Sequence, residues 1–208
     1  MLQFIAMLTM LVDHLGVVFF PKAEILRIIG RIAFPLYSWF LVQGYYKTSN
    51  RKKYVWRLFL IALLAQIPFT LALQSWELNV IFTLLLAFLT LYVLDLHIEE
   101  IFKTGLIIFI SMISLVVPMD YGLYGILLII IFRYSDRKRM VTYHMLLNTM
   151  YLIVYGVGYW IQLFSIIGTF IIVYRNAFIS LPSNRWLYRS FYPGHLAILY
   201  LISLLLQR

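Results

Sequence analysis

LQFIAMLTMLVDHLGVVFF, residues 2–20, decides the class of this protein. The run matches the ~20 apolar residues that carry a helix across ~30 Å of hydrocarbon. Its only ionisable groups are Asp13 and His14. No basic stretch precedes it, and Pro21-Lys22 follows where a signal peptide would place small residues for cleavage. It therefore reads as a retained first span rather than a targeting segment. Runs of the same kind recur at 32–46, 54–74, 78–94, 104–117, 119–134, 140–158, 160–174 and 187–206. Two of these, 104–117 and 160–174, are short, which puts the count at eight or nine. The composition agrees: 63% of residues are hydrophobic and 12% charged, with mean hydropathy +0.92. A water-soluble domain carries about 25% charged residues. The sequence predicts an all-α, polytopic integral membrane bundle of about eight or nine transmembrane helices, forming a single transmembrane domain over 1–208.

The connections are too short to hold an extramembrane domain, and no linker or internal repeat divides the chain. Residues 21–31 are amphipathic and read as a short helix at the interface. With the N-terminus cytoplasmic and nine spans, thirteen of the 17 Lys and Arg fall on that side; Lys22, Arg27, Arg31 and Arg208 fall on the other. This asymmetry is the one that orients membrane proteins. It accounts for the formal charge of +9 through topology and anionic lipid, with no nucleic acid required. The chain has no cysteine, so disulfides, thiolate metal sites and a cysteine nucleophile are excluded.

Ionisable side chains inside spans cost a few kcal/mol each, so they are paired, inward-facing and often functional. Asp13 and His14 lie in the outer half of the first span, and His195 lies in the last, behind Pro193-Gly194, where a kink or widened turn is predicted. Adjacent residues on a helix point about 100° apart. Asp13 therefore meets Arg27 or Arg31 rather than His14, and one reading is that it only pins the first helical hairpin. His144 and Asn148, four apart, share a helix face and suit an interhelical hydrogen bond. Asn79 and Asp120 each open a span, where Asn and Asp serve as helix caps; for Asp120 the cap is the favoured reading. Tyr and Trp read mostly as an interfacial belt. His14 and His195 would meet if the chain ends close the bundle. No nucleotide-binding glycine loop, HExxH or serine elbow appears, and the residues alone stop at a bundle with polar groups gathered inside.

Several strings together resemble the TraX family, the membrane proteins named for the conjugative-pilin acetylase. They are Asp13-His14-Leu-Gly16, Arg27-Ile-Ile-Gly30-Arg31-Ile-Ala-Phe34-Pro35, Ala65-Gln66-Ile-Pro68-Phe69, Leu78-Asn79-Val-Ile-Phe-Thr83, Asp120-Tyr-Gly-Leu-Tyr-Gly125 and Phe191-Tyr192-Pro193-Gly194-His195. Gln43-Gly44 and Tyr54 to Arg57-Leu58 fall between them in order, and little matches between 140 and 185. The resemblance implies an enzyme of the bacterial plasma membrane that moves acetyl from cytoplasmic acetyl-CoA, a co-substrate, to an amine of a peptide such as pilin. A sugar or other small molecule is the alternative acceptor.

Acyl transfer needs a base for the attacking group and donors for the oxyanion. Histidine, with an ordinary pKa near 6.5, suits the base. His14 is the first choice and His195 the second, with Asp13 beside them. Arg27, Arg31, Asn79 and Asp120 are candidates to contact acceptor or oxyanion. The phosphates of CoA call for cytoplasmic cations, and Arg57, Lys53, Arg133 and Arg189 are the candidates. No metal is expected. Because His14 sits toward the outer leaflet while acetyl-CoA is cytoplasmic, this reading predicts a central tunnel for the pantetheine arm. A transporter or flippase, or a non-catalytic assembly partner, are the other two classes considered. The former lacks the paired interrupted helices expected of it.

Overall fold

The structure is a computed structural model that describes residues 1–174 and 185–206, with 185–187 and 189 described for their backbone only. The described residues form α1 (Leu2–Phe19), α2 (Glu24–Gly30), α3 (Ala33–Lys47), α4 (Arg51–Leu73), α5 (Val80–Leu94), α6 (Glu100–Val116), α7 (Gly122–Tyr134), α8 (Arg137–Tyr155), a 3-10 segment (Val157–Ser165), α9 (Ile166–Val173) and α10 (Arg185–Leu206). Each run predicted as a span contains a helix, and the result is an all-α membrane bundle. The amphipathic stretch before the second span is α2, separated from α3 only by Arg31 and Ile32.

Local chemistry explains the boundaries. Pro21 disfavours helix at Phe20, where α1 stops. Asn50, Asn79 and Asp136 cap α4, α5 and α8 by accepting from the backbone N–H of Lys53, Ile81 and Arg139. α10 continues through Pro193 and Gly194 as one helix. Asp120 departs from its predicted role. The residue before α7 is Tyr121, at φ 67°, and no side chain caps that helix. The Asp120 backbone is instead engaged sideways: its N–H donates to the Leu78 carbonyl, and its carbonyl accepts the Thr83 hydroxyl.

Among the described residues three stretches are long and apolar enough to cross a bilayer: Leu2–Phe19, Glu24–Lys47 and Arg51–Leu73. α5 and α7 are shorter, at 15 and 13 residues, and sit centrally, with eight and seven of their residues buried respectively. α6 is peripheral, burying only Ile110 and Ser114 and turning Ile101, Phe102, Ile108 and Phe109 outward. That apolar exterior is what a lipid-facing surface requires, since lipid is as apolar as the core. The small side chains Ala62, Ala65 and Ala72 make a seam on α4 against which Tyr192 and Leu196 of α10 pack.

A buried hydrogen-bond network ties α7, α8, α9 and the 3-10 segment together. The Tyr124 hydroxyl lies 2.9 Å from His144 Nε2 and donates to Asn148 Oδ1 at 2.7 Å. His144 Nδ1 meets the Thr169 hydroxyl at 2.6 Å, and Asn148 Nδ2 donates to Ser165 Oγ at 3.1 Å. The one-face pairing of His144 and Asn148 thus serves interhelical packing. Asn148→Leu leaves Tyr124 and Ser165 short of a partner. It is expected to cost about 1–2 kcal/mol, seen as a lower unfolding midpoint in detergent; an unchanged midpoint would remove this network from the stabilising contacts.

Candidate functional site

A cavity of about 310 Å³ lies among α1, α3, α4, α5 and α10. At one end it is lined by Asp13, His14, Gly30, Asp120, Tyr121 and Tyr192; at the other by Gln3, Tyr54, Arg57 and Tyr188. Apolar side chains, among them Met10, Phe34, Leu58, Ile81 and Leu84, form the wall between. Gln3 and His14 are eleven residues apart on α1, about 16 Å of helical rise.

His14 and His195 meet at the first of these ends. Their rings are nearly parallel, with centroids 4.9 Å apart, and His14 Nδ1 lies 2.7 Å from His195 Nε2. The tautomers follow from the partners. His195 Nδ1 sits 2.6 Å from the Phe191 carbonyl oxygen, which can only accept, so that nitrogen carries hydrogen. In the neutral ring, His195 Nε2 is then the acceptor, and His14 Nδ1 must donate to it. His14 is left with its lone pair on Nε2, which makes no hydrogen bond among the described residues while its ring lines the cavity. A chain of two hydrogen bonds from a backbone carbonyl thus holds His14 in the tautomer a base requires, the role a carboxylate plays in other sites.

Asp13 points away from His14, as the 100° rule requires. Its carboxylate accepts from Arg27 Nη1 at 2.8 Å and from Arg31 Nη2 at 3.1 Å. Close approach depends on Gly30, since a Cβ there would overlap the Asp13 side chain. Arg31 also reaches Gln162 Oε1 at 3.4 Å, and its ring neighbour is Tyr121. Arg31 Nε and Gln162 Nε2 are buried without an acceptor among the described residues. Asp13 thus ties α1 to Arg27 of α2 and to Arg31 in the link before α3, and neither arginine is part of the cavity lining.

The remaining candidates separate. Asp120 lines the cavity and no described residue hydrogen-bonds its carboxylate. Asn79 is away from the cavity lining and fully used: Nδ2 donates to the Ala62 carbonyl and to Gln66 Oε1, and Oδ1 caps α5. Arg57 lines the far end, 5.0 Å over the Tyr54 ring. Lys53 is exposed on the first turn of α4, off that lining. Arg133 is also off it, ion-paired with Asp95 and packed against Tyr45, Tyr46 and Tyr134. Asp95 in turn binds Arg51 and the Tyr45 hydroxyl, tying four helix ends together. The Arg189 side chain lies outside the described residues. Among the described residues no group of three His, Asp or Glu is placed to hold a metal ion.

The sequence reading missed the aromatic wall. Trp76 and Trp56 are exposed, as a belt requires, but Tyr37, Tyr54, Tyr188 and Tyr192 face the cavity. Tyr37 and Tyr188 stack with centroids 5.7 Å apart. Their helical position mid-span, rather than at span ends, was the available signal for Tyr37 and Tyr192.

Residues 1–203 match the family model described as TraX protein. The chain is 29% identical over 244 aligned residues to a Dichelobacter nodosus protein named "Probable fimbrial assembly protein FimC, serogroup H1", covering 99% of this chain and 96% of that one. A shorter stretch of 46 residues is 39% identical to an uncharacterized protein of Rickettsia prowazekii (strain Madrid E), covering 22% of this chain and 18% of that one. No solved structure matches the chain.

Proposed function

This chain belongs to the TraX family, and from that premise we propose that it is a membrane-embedded acetyltransferase moving acetyl from acetyl-CoA to an amine of a peptide acceptor. The observation that carries the reading is the His14–His195 pair, which leaves His14 Nε2 as a free base at one end of a cavity whose other end holds Arg57. The family and the fimbrial relative support a pilin-like or other peptide as acceptor. The family supports a bacterial plasma membrane as the setting, and the Lys and Arg distribution supports a cytoplasmic N-terminus.

The residues present fit the co-substrate. Arg57 stands where a CoA phosphate would pair. The apolar and tyrosine-lined wall suits the pantetheine arm, whose extended length is comparable to the rise from Gln3 to His14. The thioester would then stand beside His14, which removes the conflict between a cytoplasmic donor and a base in the outer half of the bundle. The amine nitrogen attacks the thioester carbonyl carbon as His14 Nε2 takes one amine proton. The oxyanion collapses, the C–S bond breaks, and the departing CoA thiolate takes that proton back from His14. Amine and acetyl-CoA give the acetylated amine and CoA thiol.

Binding and slow hydrolysis of acetyl-CoA by the detergent-purified protein test this. Micromolar binding with measurable turnover is expected, and Arg57→Ala should weaken binding about tenfold, the loss of one charge-assisted contact. Absence of binding by protein that still melts cooperatively would remove the enzyme reading and leave the cavity to transport or assembly.

A further inference from the structure

The cavity is lined by two carboxylates, and only one has its partners. Asp13 is taken by Arg27 and Arg31. Asp120 belongs to the turn between α6 and α7, and its backbone is held from both sides. Its N–H donates to the Leu78 carbonyl at 2.9 Å, its carbonyl accepts from Thr83, and Met119 forms an isolated bridge with Leu78. The next residue, Tyr121, is held at positive φ with its ring flat on Phe34, centroids 3.7 Å apart. Positive φ in a bulky residue costs free energy and persists where surrounding structure imposes it, often at ligand clamps. A rigid turn therefore presents Asp120 to the cavity. Its carboxylate accepts no hydrogen bond and forms no ion pair with the described residues. A half-buried carboxylate that lines a cavity and keeps its lone pairs free of protein donors is placed to accept a hydrogen bond from a ligand.

We infer that Asp120 selects the acceptor: it receives an N–H of the incoming primary amine and holds that nitrogen against the thioester carbon within reach of His14. The assignment rests on the acetyltransferase reading above. Proton counting gives the selectivity. A neutral primary amine has two N–H bonds, one for His14 Nε2 and one for Asp120. After attack, His14 removes one proton, and the other remains on the new amide, still donated to Asp120. A hydroxyl has one proton. If it goes to His14, Asp120 stays unpartnered, so a sugar or alcohol acceptor is disfavoured at this site. An acceptor arriving as the ammonium ion also gains the charge of Asp120 before it gives its extra proton to water and attacks as the neutral amine.

The test uses the full-length protein in detergent and two short peptides. One begins with alanine; its twin begins with lactate, so that a hydroxyl replaces the amine and with it the charge of the ammonium form. Equilibrium binding without acetyl-CoA should favour the amine peptide at least tenfold in wild type. Asp120→Asn should bind both alike, and Asp120→Glu should keep part of the preference, with unfolding midpoints confirming that each variant is folded. In turnover, Asp120→Asn should raise KM for the amine peptide by roughly 10- to 100-fold and lower kcat less. Equal binding of both peptides by wild type, preference retained in Asp120→Asn, or faster acetylation of the lactyl peptide would each overturn the assignment. If wild type prefers the amine, loses that preference in Asp120→Asn, and never turns over acetyl-CoA, the acetyltransferase reading fails while Asp120 stands as an amine-binding group.

Discussion

His14→Ala is expected to slow acetyl transfer by roughly 10²–10⁴-fold, the usual contribution of a positioned general base. Acetyl-CoA affinity should stay within a few-fold, because the contacts assigned to the phosphates lie at the opposite end of the cavity. The hydrogen-bond chain separates the two histidines in role. His14 carries the lone pair toward the cavity; His195 is spent on the Phe191 carbonyl and on His14. His195→Gln keeps an acceptor for His14 Nδ1 and should give a smaller loss together with an altered pH–rate profile, since a neutral amide cannot share the proton. Single-turnover transfer across pH measures both. If His195→Gln abolishes transfer while His14→Ala retains it, the base has been assigned to the wrong ring.

Asp13→Ala should be the most destabilising of the substitutions considered. It leaves the Arg31 guanidinium with only a long contact to Gln162 and the charge of Asp120. Removing one partner of a buried ion pair costs about 3–5 kcal/mol. Arg27 is one-third exposed and keeps water, so the lower end, about 3 kcal/mol, is expected. Denaturation of the purified protein reads it directly. The double variant Asp13→Ala with Arg31→Met should be more stable than the sum of the single effects, because the stranded charge is gone. Strict additivity would mean that the pair contributes no coupling.

Sequence periodicity revealed the helices because span length and charge-free composition are imposed by the bilayer itself. The Asp13 pairing was equally legible, since helix geometry excludes His14 and Arg27 and Arg31 were the nearby cations. The His14–His195 contact, between residues 181 apart, could be read only as a consequence of closing the bundle. Asp120 resisted because the same residue type serves as helix cap and as cavity acid; the choice is made by Leu78 and Thr83, which claim its backbone from a different loop. Arg133 resisted for a related reason. A basic residue at a span end looks alike whether it awaits a phosphate or already holds Asp95. The tyrosines of the cavity were hidden by their abundance, which the interface explains equally well.

The central helices α5 and α7, 15 and 13 residues long, rise only about 20–22 Å. The surrounding bilayer is about 30 Å thick. Hydrophobic mismatch of this kind thins lipid or admits water at modest cost per ångström. If the deficit falls at the end where α7 begins, the turn bearing Asp120 would sit at the floor of a recess rather than level with the headgroups. Under the proposed function, a peptide end reaching that floor would have crossed about a third of the membrane without entering hydrocarbon, and the acetyl group would have correspondingly less distance to travel. The shortness of two helices would turn chemistry across a membrane into chemistry across a thin partition.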